Sequence, residues 1–282
     1  MRKGTFIHKL LIKENWLLLT FLLTTFFGFT QSDSVTLEKK LTIDVIAKSA
    51  TTDQFGNIYL IVSNNEIRKY NPEGDELFRY SNSRLGEITY FDVSNPFNLL
   101  VFFEAFNTIK FLDRTLSETG EFHLFNAGLF NAKCMSVADD KHLWIFDKDN
   151  FQLKKFSFDG RLVVQSQQLN QLLQKNLNPT IIKEIGNRVY LYDKKEGILV
   201  FDILGKFLHY FPYKGIVDFE VAKNRLFIFK DKKLTLVDMN FSGTKDVNYH
   251  FPKLVTRFGK RIYSNNHLLH IREEKVDIYQ IQ

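Results

Sequence analysis

Short apolar runs, separated by polar and turn-forming residues, recur along almost the whole chain. Six of these runs line up when written one under another, each preceded by a polar turn such as Phe55-Gly56-Asn57. Their first apolar residues are Ile58, Leu99, Leu143, Val189, Leu226 and Ile262, so successive runs begin 41, 44, 46, 37 and 36 residues apart. Runs of this length, bounded by Gly, Asn and Asp, predict β-strands. The regular spacing predicts a repeat architecture with about 40 residues per unit.

The first repeat shows how one unit is built. Apolar or small residues at 47–53, 58–62, 67–70 and 77–80 predict four strands, and the turn at 71–74 ends in a glycine able to adopt a positive φ. Six such repeats predict an all-β fold, a six-bladed β-propeller with four-stranded blades. An alternative all-β fold, two sandwich domains, explains the spacing less well, because sandwich strands show no repeat of that period.

The sixth repeat has only three predicted strands, the last at residues 275–281, whereas residues 41–45 form a strand-like segment with no place in the first repeat. A ring of blades leaves exposed sheet edges unless its ends are joined. The N-terminal segment is therefore expected to supply the outer strand of the last blade.

One segment departs from the strand pattern. Residues 167–178 carry leucines at helical spacing, namely Leu169, Leu172, Leu173 and Leu177. This spacing predicts a short amphipathic helix lying over one face between the third and fourth blades.

The first thirty residues have a different composition from the rest. Four basic residues, Arg2, Lys3, Lys9 and Lys13, lie ahead of an apolar run at residues 16–29. The small residues Gly28 and Thr30 then mark a cleavage site after Thr30. This pattern predicts a signal peptide at 1–30 and a propeller domain at 31–282. The run is shorter than the ~20 residues that a membrane span needs, so we expect no stable span after cleavage, with an uncleaved anchor as the alternative. The expected location is the periplasm, the outer membrane surface or the extracellular space.

The turn Asp53-Gln54-Phe55-Gly56-Asn57, with weaker echoes at Gly186-Asn187 and Gly259, carries a family resemblance. The chain resembles six-bladed propellers of the NHL-repeat and TolB-like type, in which Asp-x-x-Gly-Asn turns precede the second strand of each blade. The resemblance spans residues 36–282 and implies an architecture rather than an activity.

Charge and motifs exclude several function classes. The formal net charge is +6, of which the first thirty residues contribute +3, and the remaining charge is too dispersed for a nucleic-acid partner. Phosphate-binding glycine loops and a Gly-x-Ser-x-Gly elbow are absent, so no cofactor is expected. The single cysteine, Cys134, cannot form an intramolecular disulfide and is either a packed thiol or a reactive one.

Topology indicates where a binding site would lie. Connections from one blade to the next gather at one mouth of a propeller, and here they carry a mixed aromatic and basic set suited to a protein or a glycan partner. The candidate binding residues are Arg84, Phe130, Tyr213, Lys214 and Phe251.

Three functions remain open. The absence of a catalytic motif favours a non-catalytic propeller of the cell envelope, acting as a protein- or glycan-binding or scaffold module. The alternative is a metal-dependent hydrolase or lactonase-like enzyme, whose channel metal would be held by Asp92, Asp218 and Glu220 if their side chains converge. A smaller third possibility is a signal-anchored sensor.

Overall fold

The computed structural model describes residues 36–222, 224–230, 233–239, 247–250 and 260–281. The strands of these residues form six four-stranded antiparallel sheets. The chain is thus a six-bladed β-propeller, and the fold predicted from the repeat spacing is confirmed. The six sheets belong to one compact unit, Val35–Gln282.

The first three blades follow the chain in order, with strands running from the central channel outward. Blade 1 contains β2 (Ala47–Thr52), β3 (Ile58–Val62), β4 (Glu66–Tyr70) and β5 (Glu76–Ser81). Blade 2 contains β6 (Tyr90–Asp92), β7 (Leu99–Phe103), β8 (Thr108–Leu112) and β9 (Glu118–His123). Blade 3 contains β10 (Ala132–Val137), β11 (His142–Asp147), β12 (Gln152–Ser157) and β13 (Leu162–Gln165).

The other three blades complete the ring. Blade 4 contains β14 (Pro179–Ile185), β15 (Arg188–Asp193), β16 (Gly197–Asp202) and β17 (Phe207–Phe211). Blade 5 contains β18 (Asp218–Ala222), β19 (Arg225–Lys230), β20 (Lys233–Asp238) and β21 (Val247–His250). Blade 6 contains β22 (Lys260–Ser264), β23 (His267–Ile271) and β24 (Lys275–Ile281), with β1 (Leu37–Asp44) as its outer strand.

Ring closure follows the prediction, with a longer strand than expected. β1 pairs antiparallel with β24 from Leu37 opposite Ile281 to Asp44 opposite Lys275. The Thr42 hydroxyl donates to Asp277 (2.7 Å), and Lys39 forms an ion pair with the same carboxylate (2.8 Å). The N-terminal strand therefore covers an edge that would otherwise be open.

The predicted helix between blades 3 and 4 is present but shorter, as α1 (Leu169–Leu173). Two 3₁₀ turns, Glu104–Phe106 and Leu124–Ala127, occur in loops of blade 2. Within the described residues, no helix is both long and apolar enough to cross a membrane.

A separate hydrophobic core fills each junction between neighbouring blades. Between blades 3 and 4, for example, Trp144, Leu191 and Phe201 are fully buried side by side. Equivalent cores occupy the other five junctions. The blades are thus held by face-to-face packing of two-sided apolar sheets, which explains why their second strands, such as β3, are continuous apolar runs rather than alternating ones.

Polar turns position the strands at one end of each blade. The Asp53 carboxylate accepts hydrogen bonds from the amides of Phe55 (2.9 Å) and Asn57 (3.0 Å) and from the Tyr59 hydroxyl (3.0 Å). Gly56 lies between them at φ +81°, a conformation that residues with a side chain rarely adopt. The Asp-x-x-Gly-Asn motif therefore closes the turn between the first two strands of blade 1.

Candidate functional site

Two regions of the propeller could carry a function. The first is the central channel, whose wall is made of the inner strands. The second is the end of the propeller that we call the connection face, formed by the blade-to-blade connections and the turns between second and third strands. Backbone bonds join these two kinds of loop, as from Leu124 to Asn107 (2.9 Å) and from Lys148 to Asn131 (3.1 Å).

The channel encloses a cavity of about 730 Å³. Asp92, Asp218 and Glu220, the three carboxylates proposed as an alternative metal site, all line it. Each one bonds at a different blade junction, however. Asp92 lies on β6, whereas Asp218 and Glu220 lie two residues apart on β18. The structure brings them to one cavity without bringing them to one point.

Asp92 links blades 2 and 3. Its carboxylate is buried, and it accepts hydrogen bonds from the Ser94 amide (2.8 Å) and, across the junction, from the Val137 amide (2.9 Å). Both carboxylate oxygens therefore have backbone partners within the protein.

Asp218 links blades 4 and 5 through Lys183 (2.9 Å), whose ammonium also donates to the Phe219 carbonyl (2.7 Å). Burial by itself would lower the pKa of Lys183, but the nearby Asp218 and Glu220 carboxylates outweigh it, so that the pKa is raised. Lys183 is thus a charged partner held beside Asp218.

Glu220 links blades 5 and 6, since one of its oxygens accepts the Asn265 amide (2.7 Å). Among the residues that the structure describes, no group of three or more His, Cys, Asp or Glu side chains could hold a metal ion. All three carboxylates act on the pKa of Lys183, Asp92 with the smallest effect, and the assignment of a metal site to Asp92, Asp218 and Glu220 stays a prediction.

Two further polar contacts continue this pattern around the channel. Glu184 of blade 4 accepts the Asp139 amide (3.2 Å) and the Trp144 indole N–H of blade 3. Between blades 6 and 1, the Thr52 hydroxyl donates to the Ser264 carbonyl (2.9 Å). The acids and hydroxyls of the channel wall thus serve as links between blades.

Cys134 is a buried, free thiol. The side chain lies in the buried core between blades 3 and 4, and burial raises the pKa of its thiol well above the ordinary value, with a smaller contribution from Asp193. Of the two possibilities for Cys134, the structure shows the packed thiol.

Four of the five predicted binding residues can be placed, and these lie in the connections between blades but outside the channel cavity. Arg84 is exposed in the β5–β6 connection, and Phe130 is exposed in the β9–β10 connection. In the β17–β18 connection, Tyr213 packs partly against the core between blades 4 and 5, while Lys214 is exposed. Phe251 lies outside the described residues. These assignments stay predictions.

Phe130 has one aromatic ring neighbour on the connection face, Phe125, and a third exposed ring, Phe106, lies on the adjoining bonded turn; the sequence indicated neither. The side chains of Phe106, Phe125 and Phe130 are 51, 54 and 68% exposed, and the rings of Phe125 and Phe130 lie 5.8 Å apart. We call these three residues the phenylalanine cluster. Phe106 and Phe125 sit in 3₁₀ turns that directly follow β7 and β9, where the sequence carries no turn-forming Gly or Pro immediately ahead of them.

Asn107 fixes the loops of the phenylalanine cluster relative to one another. It is buried at φ +47°, its carbonyl accepts the Leu124 amide (2.9 Å), and its side-chain amide donates to the Leu129 carbonyl (2.7 Å). The turn holding Phe106 is therefore bonded to both ends of the loop holding Phe125. Exposed rings on a braced backbone lose little conformational entropy when a partner covers them.

Comparisons with known proteins agree with this fold. The structure of streptogramin B lyase is 13% identical and has a TM-score of 0.59 over 89% of this chain and 99% of that chain. A catalytically inactive virginiamycin B lyase from Staphylococcus aureus with quinupristin is 12% identical, with a TM-score of 0.57 over 88% and 99% of the two chains. A chain of the mitotic checkpoint complex is 12% identical, with a TM-score of 0.55 over 83% and 76%.

At identities this low, the likeness shows the fold alone: a six-bladed β-propeller. No protein-family model matches the sequence, and no curated protein matches it.

Proposed function

We propose that this chain is an exported, non-catalytic β-propeller of the cell envelope that binds a partner protein through the phenylalanine cluster on its connection face. The observation that carries the proposal is the exposure of Phe106, Phe125 and Phe130 together on neighbouring, mutually bonded loops. Clustered apolar rings on a surface are typical of interaction sites, whereas single exposed apolar residues need no explanation. The basic and apolar pattern of residues 1–30 supports export.

A protein fits the cluster better than a glycan. Phenylalanine is enriched at the centres of protein interfaces, and it carries no polar group, unlike Tyr and Trp. A sugar needs hydrogen-bond partners for its hydroxyls beside any ring that it covers. Arg84, exposed in the preceding connection, supplies a basic residue suited to the rim of a protein interface.

Channel chemistry supports a non-catalytic function. The carboxylates that would serve a hydrolase already accept backbone amides or face an ammonium, as Asp92, Asp218 and Glu220 do. Catalytic groups are expected to converge on one reacting atom. In this channel they diverge toward separate blade junctions.

Site-specific photo-crosslinking in the native host tests the proposal. A photoreactive phenylalanine analogue at position 130 should give one discrete protein adduct, lost when Phe106 and Phe125 are both replaced by Ser. Phe97 is the matched control, because its ring is equally exposed (56%) and also lies beside an exposed ring, that of Phe55 (6.2 Å), but in the turn between the first and second strands of blade 2, at the opposite end of that blade.

An adduct of equal yield at position 97, or no adduct at position 130, would contradict the proposal. A carbohydrate adduct would show that the cluster binds a glycan rather than a protein. Native mass spectrometry of the chain purified without chelators tests the hydrolase alternative, since a stoichiometric divalent metal would favour a metal-dependent enzyme. N-terminal sequencing of the same material tests cleavage after Thr30.

A further inference from the structure

A second site lies on the outside of the ring, under the connection between blades 3 and 4. This segment, residues 166–178, contains α1 and is the longest blade-to-blade connection that the structure describes. We call it the strap. Its leucine spacing stood out in the sequence, and neither the channel nor the phenylalanine cluster accounts for it.

The strap is anchored at both ends. Leu169 and Leu177 are fully buried in the core between blades 3 and 4. The Leu153 amide donates to the Ser166 hydroxyl (2.9 Å) at one end, and Lys148 donates to the Leu177 carbonyl (2.5 Å) at the other. The part between the anchors, including Leu173, is therefore held over the blades as a fixed roof.

An apolar pocket of about 260 Å³ lies beneath this roof. Its walls are Leu173, Leu177, Leu199, Phe207 and Tyr210. The Tyr210 hydroxyl is already bonded to the Glu196 carbonyl (2.6 Å), so it offers the pocket its ring face. A dry apolar cavity of about 150 Å³ is enough to bind benzene, so this pocket has room for a longer hydrocarbon.

The opening of the pocket is basic. Lys175 and Glu196 line it as an ion pair (2.5 Å), and the Lys175 ammonium lies 5.5 Å from the centre of the Tyr210 ring. Two more exposed lysines, Lys194 and Lys195, precede Glu196 in the same turn. In the strap and its two neighbouring turns, the charged residues are Lys148, Asp149, Lys175, Lys194, Lys195 and Glu196, and the buried Asp193 carboxylate accepts the Asn178 amide of the strap. This surplus of positive charge beside an apolar pocket favours an anionic amphiphile.

We propose that the pocket under the strap binds a single hydrocarbon chain that carries an anionic head group. The chain packs against the leucine and aromatic walls, and the head group pairs with Lys175 in place of Glu196. A polar ligand of the same size is excluded, because the walls present no unbonded donor to it. The ligand could be a free fatty acid or one acyl chain of an anionic lipid.

Isothermal titration of the full chain with decanoate, kept below its micelle concentration, tests the site. We expect one decanoate per chain, and decanol to bind about three- to tenfold more weakly because it lacks the charge that Lys175 recognises. Lys175→Gln should reduce decanoate affinity to the level of decanol. Leu173→Trp, which fills the pocket, should abolish binding of both.

Leu172→Trp is the matched control, because Leu172 lies on the same helix but is exposed on its outer side. It should leave decanoate binding unchanged, and thermal melts of all variants should show that the ring stays folded. Absence of decanoate binding in the wild type, or binding that survives Leu173→Trp, would overturn the proposal. Cosedimentation with phosphatidylglycerol vesicles that is lost in both Leu173→Trp and Lys175→Gln would support the same pocket, with a membrane lipid as the source.

Discussion

The channel wall and the connection face of this propeller differ in how their side chains are used. In the channel, Asp92, Glu184 and Glu220 look chemically active, yet each accepts an amide of a neighbouring blade. On the connection face, the phenylalanine cluster looks inert, yet its rings are left half exposed or more. In this molecule the channel acids join neighbouring blades, whereas the phenylalanine rings of the connection face are exposed.

The largest effect is expected from removing β1, an outer strand that lies far from the channel. Deletion of residues 31–46 removes the buried Ile43 side chain and exposes the whole edge of β24. Because blade 6 then loses its outer strand and the pairing that joins the two chain ends, we expect loss of the folded state, measured by circular dichroism and limited proteolysis.

Deletion of residues 31–35 alone leaves β1 intact and is the control. A stably folded protein lacking 31–46 would show that closure by β1 is dispensable.

A smaller effect is expected from Asp92→Ala in the channel wall. The substitution leaves the buried Val137 amide without its acceptor, which should lower the free energy of unfolding by about 1–3 kcal/mol. Urea denaturation measures the change. Asp113→Ala is the control, since the Asp113 carboxylate bonds to amides of its own turn, such as that of Ser117, and joins no blades. Equal losses in the two variants would remove the distinction between channel and surface acids.

The third prediction concerns pH. Burial tends to raise the pKa of Asp277, but its bonds to Lys39 and Thr42, with the charges of Lys39 and Arg272, lower it overall below the ordinary value. A lowered pKa in the folded state means that the ionised carboxylate stabilises the fold above the unfolded-state pKa of about 3.9, and that this contribution is lost as pH falls through the folded-state value.

Asp277→Asn should therefore be less stable than the wild type by about 1–2 kcal/mol at pH 7. The difference should shrink as pH falls below the unfolded-state pKa of about 3.9 and should vanish below the lower folded-state value, where the wild-type carboxylate of the folded protein becomes protonated. Urea denaturation of both proteins between pH 7 and pH 2.5 measures it. A difference that stays constant over this range would mean that the ionised carboxylate is not what closes blade 6.

The smallest effect on stability is expected in the phenylalanine cluster. Replacing Phe106, Phe125 or Phe130 by Ser should change the free energy of unfolding by less than about 0.5 kcal/mol each, because the rings are already largely exposed. Losses comparable to that of Asp92→Ala would assign these rings to the core of the fold rather than to binding.

The fold could be predicted from the sequence because each blade repeats one pattern of apolar runs and turns. The start of β3 at Ile58 and the span of β24 match the runs read from the chain, and closure followed from counting strands. The contacts of the channel acids could not be predicted. Asp92 and Val137 lie 45 residues apart, as do Glu184 and Asp139, which is one repeat, and only the packed ring brings them together.

The candidate site was predicted only in part for a similar reason. Phe130 stood out because it lies in a connection between blades, and Tyr213 stood out equally although it packs against the core. Whether an aromatic residue in a loop turns inward or outward depends on loop bonds such as those of Asn107, which composition does not encode. The Asn107–Leu129 bond spans 22 residues, beyond any local pattern.

The pairing of β1 with β24 also sets the order of folding. Thr42 and Asp277, which are bonded in this pair, are 235 residues apart. The backbone hydrogen bonds of β1 can therefore form only after β24 is available. Contacts this distant in sequence slow folding, because a long loop must close before the pair stabilises it. Until then the β1 segment and the edge of blade 6 are both unpaired, and this is when the chain is most open to aggregation. The export that we propose would benefit from late closure, since the ring cannot lock before β24 has arrived.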